Sequence, residues 1–187
     1  MAFPSSISPI HWIDDQLVLM DQRYLPEKNI DFICDTLEQA ASAISDLVVR
    51  GAPAIGITAA YAVCLGYRQS RKNEKYDLDG ALNLLRNARP TAVNLAWAVD
   101  LQNEIIQSGT DDIESKLLSN AQTIHQQDVL DNQKMGDLGA DLIQPGSRVL
   151  THCNAGALAT AGYGTALGVI RSAWGQHKLD KVFASET

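Results

Sequence analysis

The segment Gln144-Pro145-Gly146-Ser147 divides this sequence into two patterns. Before it, apolar residues recur at three- and four-residue steps, the signature of amphipathic helices. After it, the chain alternates strand, helix, strand, which calls for a parallel sheet. The fold class expected is therefore α/β: a mostly helical part over residues 1–144, then the beginning of a parallel-sheet part over 145–187.

Within the first part, Trp12 to Met20 reads as a small hairpin turning at Asp14-Asp15. Asp35 and Glu38 have the spacing of a capping box, with the helix stripe Leu37, Ala41, Ile44 and Val48 behind it. Ala52-Pro53 opens an Ala- and Gly-rich helix reaching about Tyr67, since proline in a first turn forfeits no intrahelical bond. Further helices are expected over about 78–88, 91–107, 111–126 and 128–143, with Met135, Leu138 and Leu142 as the core stripe of the last. In the second part, Val149-Leu150 forms a strand, residues 155–174 a helix, and Lys181–Ala184 a closing strand. Two parallel strands and one helix leave a sheet face and both edges uncovered. This part is expected to be frayed unless a partner or further chain covers it.

The 187 residues carry a formal charge of -7, with 45% hydrophobic and 20% charged residues. That composition can bury a core. No Lys/Arg run marks a nucleic-acid surface, and no 18-residue apolar stretch marks a membrane span. Met1 to Pro9 lacks the charged and apolar regions of a signal peptide. Three scattered cysteines, Cys34, Cys64 and Cys153, form neither a disulfide framework nor a metal motif. A reducing cytoplasm is the compartment expected.

Three places could carry chemistry. Cys153 follows the Val149-Leu150 strand and precedes the expected helix, the junction where open parallel sheets place ligands. A helix N-terminus there would favour a thiolate; the other reading is a small buried cysteine in a turn. Arg50-Gly51-Ala52-Pro53 sets an arginine fork and a glycine before a helix N-terminus, an anion-binding arrangement, or else a solvated loop arginine. Arg89-Pro90-Thr91 repeats that design. His152 neighbours Cys153 but should face the other way in an extended strand, so it is read as structural. Gly162-Tyr163-Gly164 has the wrong spacing for a dinucleotide loop and falls inside the expected helix. The acidic pairs Asp14-Asp15 and Asp111-Asp112 read as turns and caps.

Several stretches together resemble the methylthioribose-1-phosphate isomerases of methionine salvage. They are Leu17–Pro26, Val49–Ala60, Arg89–Leu95, Cys153-Asn154-Ala155-Gly156 and Tyr163–Ala166, in the family's order. The resemblance implies a helical N-terminal domain, a Rossmann-like C-terminal domain and a homodimer. It implies that Arg50, Gly51, Ala52 and Arg89 bind a sugar phosphate and that Cys153 is one of two catalytic residues. The other, an aspartate, would lie beyond residue 187, so the sequence looks like the N-terminal half of a family member and is not expected to isomerise alone. No metal, nicotinamide or flavin is implied. The wider superfamily adds two other readings, a ribose-1,5-bisphosphate isomerase and a non-catalytic regulatory subunit of a translation-initiation exchange factor. The latter has no need of a thiol, so Cys153 weighs against it.

Overall fold

A computed structural model describes residues 7–185. Residues 1–6, most of the stretch examined for a signal peptide, and residues 186–187 lie outside it. Twelve elements follow in order: β1 (Ile10–Ile13), β2 (Gln16–Met20), β3 (Asp31–Cys34), α1 (Leu37–Ser45), α2 (Ala52–Lys72), α3 (Leu78–Arg86), α4 (Val93–Gln107), α5 (Ile113–Asp141), β4 (Ser147–Thr151), a 3-10 turn (Ala157–Ala159), α6 (Ala166–Gly175) and β5 (Leu179–Ala184). The expected class holds, helices first and a parallel β4–β5 pair after them. No helix among the described residues is long and apolar enough to cross a membrane.

The first hairpin turns at Asp14 and Asp15, both at positive φ (48° and 65°), as a two-residue hairpin loop requires. A third strand was not legible in the sequence. β3 pairs antiparallel with β2, Leu17 opposite Cys34, yet its four residues carry too little alternation to be read alone.

α1 is capped one residue later than expected. Thr36 Oγ1 accepts from the Gln39 amide at 3.2 Å, and Gln39 Oε1 accepts from the Thr36 amide at 3.1 Å. Asp35 accepts from the Gln16 side chain instead. The helix closes in a Schellman motif: Leu47 takes φ 63°, and the Val48 amide donates to the Ala43 carbonyl at 2.9 Å. That turn ends the helix before Val48 and aims the chain, through buried Val48 and Val49, at the start of α2.

α2 is the central helix. Every residue from Ala54 to Gly66 is buried, and α1, α3, α4, α5 and β2 pack around it. Its small side chains make this possible: a Cβ on Gly56 would stand 3.1 Å from Asn94, and one on Gly66 would stand 2.6 Å from Leu37. The helix runs to Lys72, five residues beyond the expected end.

α5 corrects two expectations. The proposed helices over 111–126 and 128–143 are one helix of 29 residues, because neither glycine nor proline interrupts Ile113–Met135. The expected stripe also faces outward: Met135, Leu138 and Leu142 are 46%, 55% and 83% exposed. The packed face is made of Asn132, Gly136, Gly139 and Ala140. A Cβ on Gly139 would meet Val169 of α6 at 2.6 Å, and one on Gly136 would meet Ser172 at 2.8 Å. Small residues bring the backbones together here, and the long side chains are left on the other face.

The segment after β4 departs most from expectation. The helix expected over 155–174 begins only at Ala166. Gly162 and Gly164, at φ 159° and 94°, hold the preceding loop, and Thr160 Oγ1 accepts from both their amides at 3.2 and 3.1 Å. Gly162-Tyr163-Gly164 therefore lies in a loop and not inside a helix. β5 lies parallel to β4 with Val149 opposite Val182, and starts two residues before the expected Lys181.

Candidate active site

Cys153 leaves the end of β4 at φ 72° with its side chain exposed. It does not adjoin a helix N-terminus, since twelve residues separate it from α6. What occupies the first amides of α6 is the carbonyl of Ala155, which accepts from Thr165 at 2.9 Å and Leu167 at 3.2 Å. His152 pairs with Ser185 Oγ at 2.6 Å; β4 ends at Thr151, so the extended strand expected to separate the two side chains does not reach them.

The loop that begins at Cys153 is fastened at three points, one of them the start of α2. Gly51, at φ 96°, lies so close to Ala159 that a Cβ would stand 2.4 Å from the Ala159 oxygen. Gln22 Nε2 donates to the Leu158 carbonyl at 2.7 Å, while the Gln22 amide donates to the Val48 carbonyl at 3.0 Å. Asp128 of α5 accepts from the Ala161 amide at 2.7 Å. Burial pushes the Asp128 carboxyl above its ordinary range, and that bond pulls it back down. Residues more than a hundred positions apart, Gly51 and Ala159, thus touch, and the loop that starts at Cys153 packs on the start of α2.

Gln22 and Asp128 were not singled out from the sequence. The signal for Gln22 was its place two residues after the buried strand β2; in the structure it is 3% exposed, with Oε1 unpartnered among the described residues. Asp128 offered none, since a carboxylate inside a polar helix reads as solvated.

The start of α2 has the features of an anion site. Ala52 and Ala54 present amides of the first turn, where no intrahelical partner exists. Arg50 and Ala52 are exposed beside them. Arg89 sits in the turn between α3 and α4, half-buried, and its carbonyl accepts from Ala92 at 2.9 Å. Its expected place at the start of a helix is corrected: α4 begins at Val93, three residues after Pro90, because the Arg89–Ala92 turn comes first. The contact of Gly56 with Asn94 still sets the start of α4 beside the second turn of α2. Three other arginines are spent on carboxylates: Arg23 on Asp21, Arg68 on Asp15 and Glu114, Arg86 on Asp100. Among the described residues Arg50 and Arg89 have no ion-pair partner. No contact joins Arg89 to the Cys153 loop among those residues.

The three thiols differ sharply. Cys34 and Cys64 are buried in the apolar core, and burial pushes both thiols up to about 12. Cys153 is the exposed one. Iodoacetamide at mildly alkaline pH should therefore label one cysteine of the folded chain, Cys153, with the others reacting only after unfolding. Peptide mass mapping checks this; rapid labelling of Cys64 would contradict it.

Two of the clefts that α2 lines differ in position. The larger, about 610 Å³, is lined by Asp15, Arg68, Lys72 and Glu114 at the far end of the helix. A 21-residue helix is roughly 30 Å long, so this cleft is remote from Cys153. The other, about 450 Å³, opens beside Pro53 between α4 and α5.

Residues 48–187 match the model of the initiation factor 2 subunit family. Methylthioribose-1-phosphate isomerase of Alkalilimnicola ehrlichii is 48% identical over 186 residues, covering 97% of this chain and 54% of that protein. The enzyme of the same name from Alcanivorax borkumensis is 49% identical, covering 95% and 52%. The crystal structure of 5-methylthioribose 1-phosphate isomerase from Pyrococcus horikoshii superposes with a TM-score of 0.85 at 33% identity, covering 94% of this chain and 51% of that one. The structure titled translation initiation factor eIF-2B, subunit delta, from A. fulgidus superposes with a TM-score of 0.77 at 40% identity, covering 97% and 55%. This chain spans about half the length of the curated relatives it matches. From the model match, the identity to named isomerases and the shared fold, the chain belongs to the initiation factor 2 subunit family.

Proposed function

We propose that this chain supplies the phosphate-binding corner and the catalytic thiol of an aldose–ketose isomerase converting 5-methylthioribose 1-phosphate to 5-methylthioribulose 1-phosphate. The observation that carries the reading is the docking of the Cys153 loop on Arg50-Gly51-Ala52. It brings the loop that starts at Cys153 against the glycine of the candidate anion site, and a sugar-phosphate isomerase needs a proton-transfer group beside such a site.

In this mechanism the phosphate rests on the free amides of the first turn of α2, and the Arg50 and Arg89 guanidinium groups neutralise it. Anchoring the phosphate places C1 and C2 at Cys153. The phosphate blocks the anomeric oxygen, so ring opening needs a group that moves a proton. Cys153, paired with a carboxylic acid, fills that role while hydrogen passes between C1 and C2. Gly51 lets the loop close over the site, and Gln22 and Asp128 hold it there.

The reading divides the chain into a helical unit, residues 1–144, and the first strand-helix-strand of a Rossmann-like unit, residues 145–187. The buried apolar core supports this, since it draws on residues from Ile10 to Ala121 and beyond them only on Ala161. A homodimer in the cytoplasm completes the proposal, from the family resemblance and from three thiols suited to a reducing compartment.

Arg50→Ala and Arg89→Ala should each weaken binding of sugar phosphate about 10- to 100-fold, the worth of a charged hydrogen bond. Arg→Lys should restore only part of it, because lysine lacks the planar fork. Inorganic phosphate should compete. Calorimetry checks this, and parent affinity in both alanine variants would place the anion site elsewhere. Assaying the family-length protein with methylthioribose 1-phosphate separates an isomerase from a regulatory subunit, which would bind without turnover.

A further inference from the structure

The Cys153 loop is bonded to itself. The Ala155 carbonyl, two residues after Cys153, accepts from the Thr165 amide at 2.9 Å. Further along, Thr160 Oγ1 accepts from the Gly162 and Gly164 amides. A loop stapled in this way moves as one body, so the place where its middle is held decides where Cys153 stands. That place is Ala161, 1% exposed and part of the apolar core.

α5 meets the Ala161 backbone with two side chains. Asp128 Oδ2 accepts from the Ala161 amide at 2.7 Å. His125 lies three positions earlier, on the same face of the helix. Burial holds its imidazole below the ordinary value, and a hydrogen bond with the Ala161 backbone acts the other way, favouring the protonated ring. Only an acceptor favours the proton, so the ring faces the Ala161 carbonyl.

The other ring nitrogen is held from α2. Tyr61 Oη lies 3.3 Å from His125 Nδ1. Burial pushes the Tyr61 hydroxyl up to about 12, so it keeps its proton and donates it. A neutral ring that accepts at Nδ1 carries its proton on Nε2, the nitrogen left to donate to Ala161. Tyr61 is fixed in turn, 3% exposed and stacked on Trp12 of β1 with ring centroids 5.3 Å apart. A histidine that merely fills a core needs one partner. His125 uses both nitrogens, and one of them grips the loop that carries the thiol.

We propose that His125 is a positioning residue for Cys153: with Asp128 it clamps the carbonyl and amide of Ala161, and through the loop it sets the thiol against the bound sugar phosphate. The proposal rests on the isomerase reading above.

Steady-state kinetics on a family-length enzyme carrying this chain tests it. His125→Phe keeps an aromatic ring and loses both bonds. It should lower kcat about 10- to 100-fold, the scale of a reacting group misplaced by about 1 Å. KM and the affinity for inorganic phosphate should stay within about 2-fold, because the proposed phosphate site lies on α2. His125→Gln keeps a donor and should recover most of kcat. In a Cys153→Ser background, His125→Phe should cost nothing further, since His125 acts through the thiol. Tyr61→Phe removes only the hydroxyl that orients the ring, and serves if His125→Phe does not fold. It should lower kcat about 5-fold, the worth of one neutral hydrogen bond. Unchanged kcat in the folded variants, a glutamine variant no better than phenylalanine, or a loss that persists without the thiol overturns the positioning role and leaves the isomerase reading standing. A parent enzyme that binds 5-methylthioribose 1-phosphate without turnover removes the isomerase reading, and the positioning role with it.

Discussion

Exchanging Cys153 for serine in a family-length enzyme carrying this chain should cut turnover by about two orders of magnitude or more, the scale of a lost proton-transfer residue. Substrate binding should change little, because in the proposed site the phosphate rests on α2 and on arginines outside the loop. Serine keeps the size of the side chain and raises its pKa far above any working range, so the loss would report on chemistry and not on packing. Cys34→Ser and Cys64→Ser make the contrast. Both thiols are buried in the core. Replacing either puts a hydroxyl into apolar surroundings and should lower stability by roughly 1–3 kcal/mol while sparing turnover in the molecules that fold. Steady-state kinetics with urea melts of all three variants checks the set. Near-normal turnover with serine at position 153 would remove the thiol from the mechanism.

Gly51→Ala should be the most damaging single methyl in the anion site. At φ 96° Gly51 occupies backbone space that other residues enter only under strain. The added Cβ would also stand 2.4 Å from the Ala159 oxygen and 2.5 Å from its Cα, both backbone atoms that no side-chain rotation can move. Strain and overlap together should cost about 3 kcal/mol, or else push the Cys153 loop off the start of α2. Gly109→Ala is the control, since Gly109 has φ 60° with nothing near its Cβ position. It should cost about 1 kcal/mol from conformation alone. Phosphate titration and urea melts distinguish the outcomes. Unchanged phosphate affinity and unchanged stability in the Gly51 variant would mean that the loop is not clamped there.

Local rules located most elements. Proline in a first turn, threonine or aspartate at a cap, and the Asp14-Asp15 turn act within a few residues of themselves, so they can be read along the chain. They failed where a short-range pattern had two outcomes. Thr36 and Gln39 offer the same three-residue spacing as Asp35 and Glu38, and Asp35 was already engaged by Gln16. The Ala- and Gly-rich stretch after Cys153 has the composition of a packed helix. Thr160 and the two glycines turn it into a loop by bonding its amides locally. On α5 the rule that large apolar residues mark the core pointed to the wrong face, because α6 approaches closely enough to need glycine.

The candidate site shows the same division. Sequence alone identified its parts: the thiol at a strand end, the arginine and glycine before a proline-started helix, and a second arginine before another. Each is a statement about residue chemistry and near neighbours. That the loop after Cys153 packs on Gly51, which supports reading the two as one site, was visible only in three dimensions. It depends on Gly51 touching Ala159, Gln22 reaching Leu158 and Asp128 reaching Ala161. Those contacts join four regions separated by up to 136 positions, and no periodicity records a contact at such range.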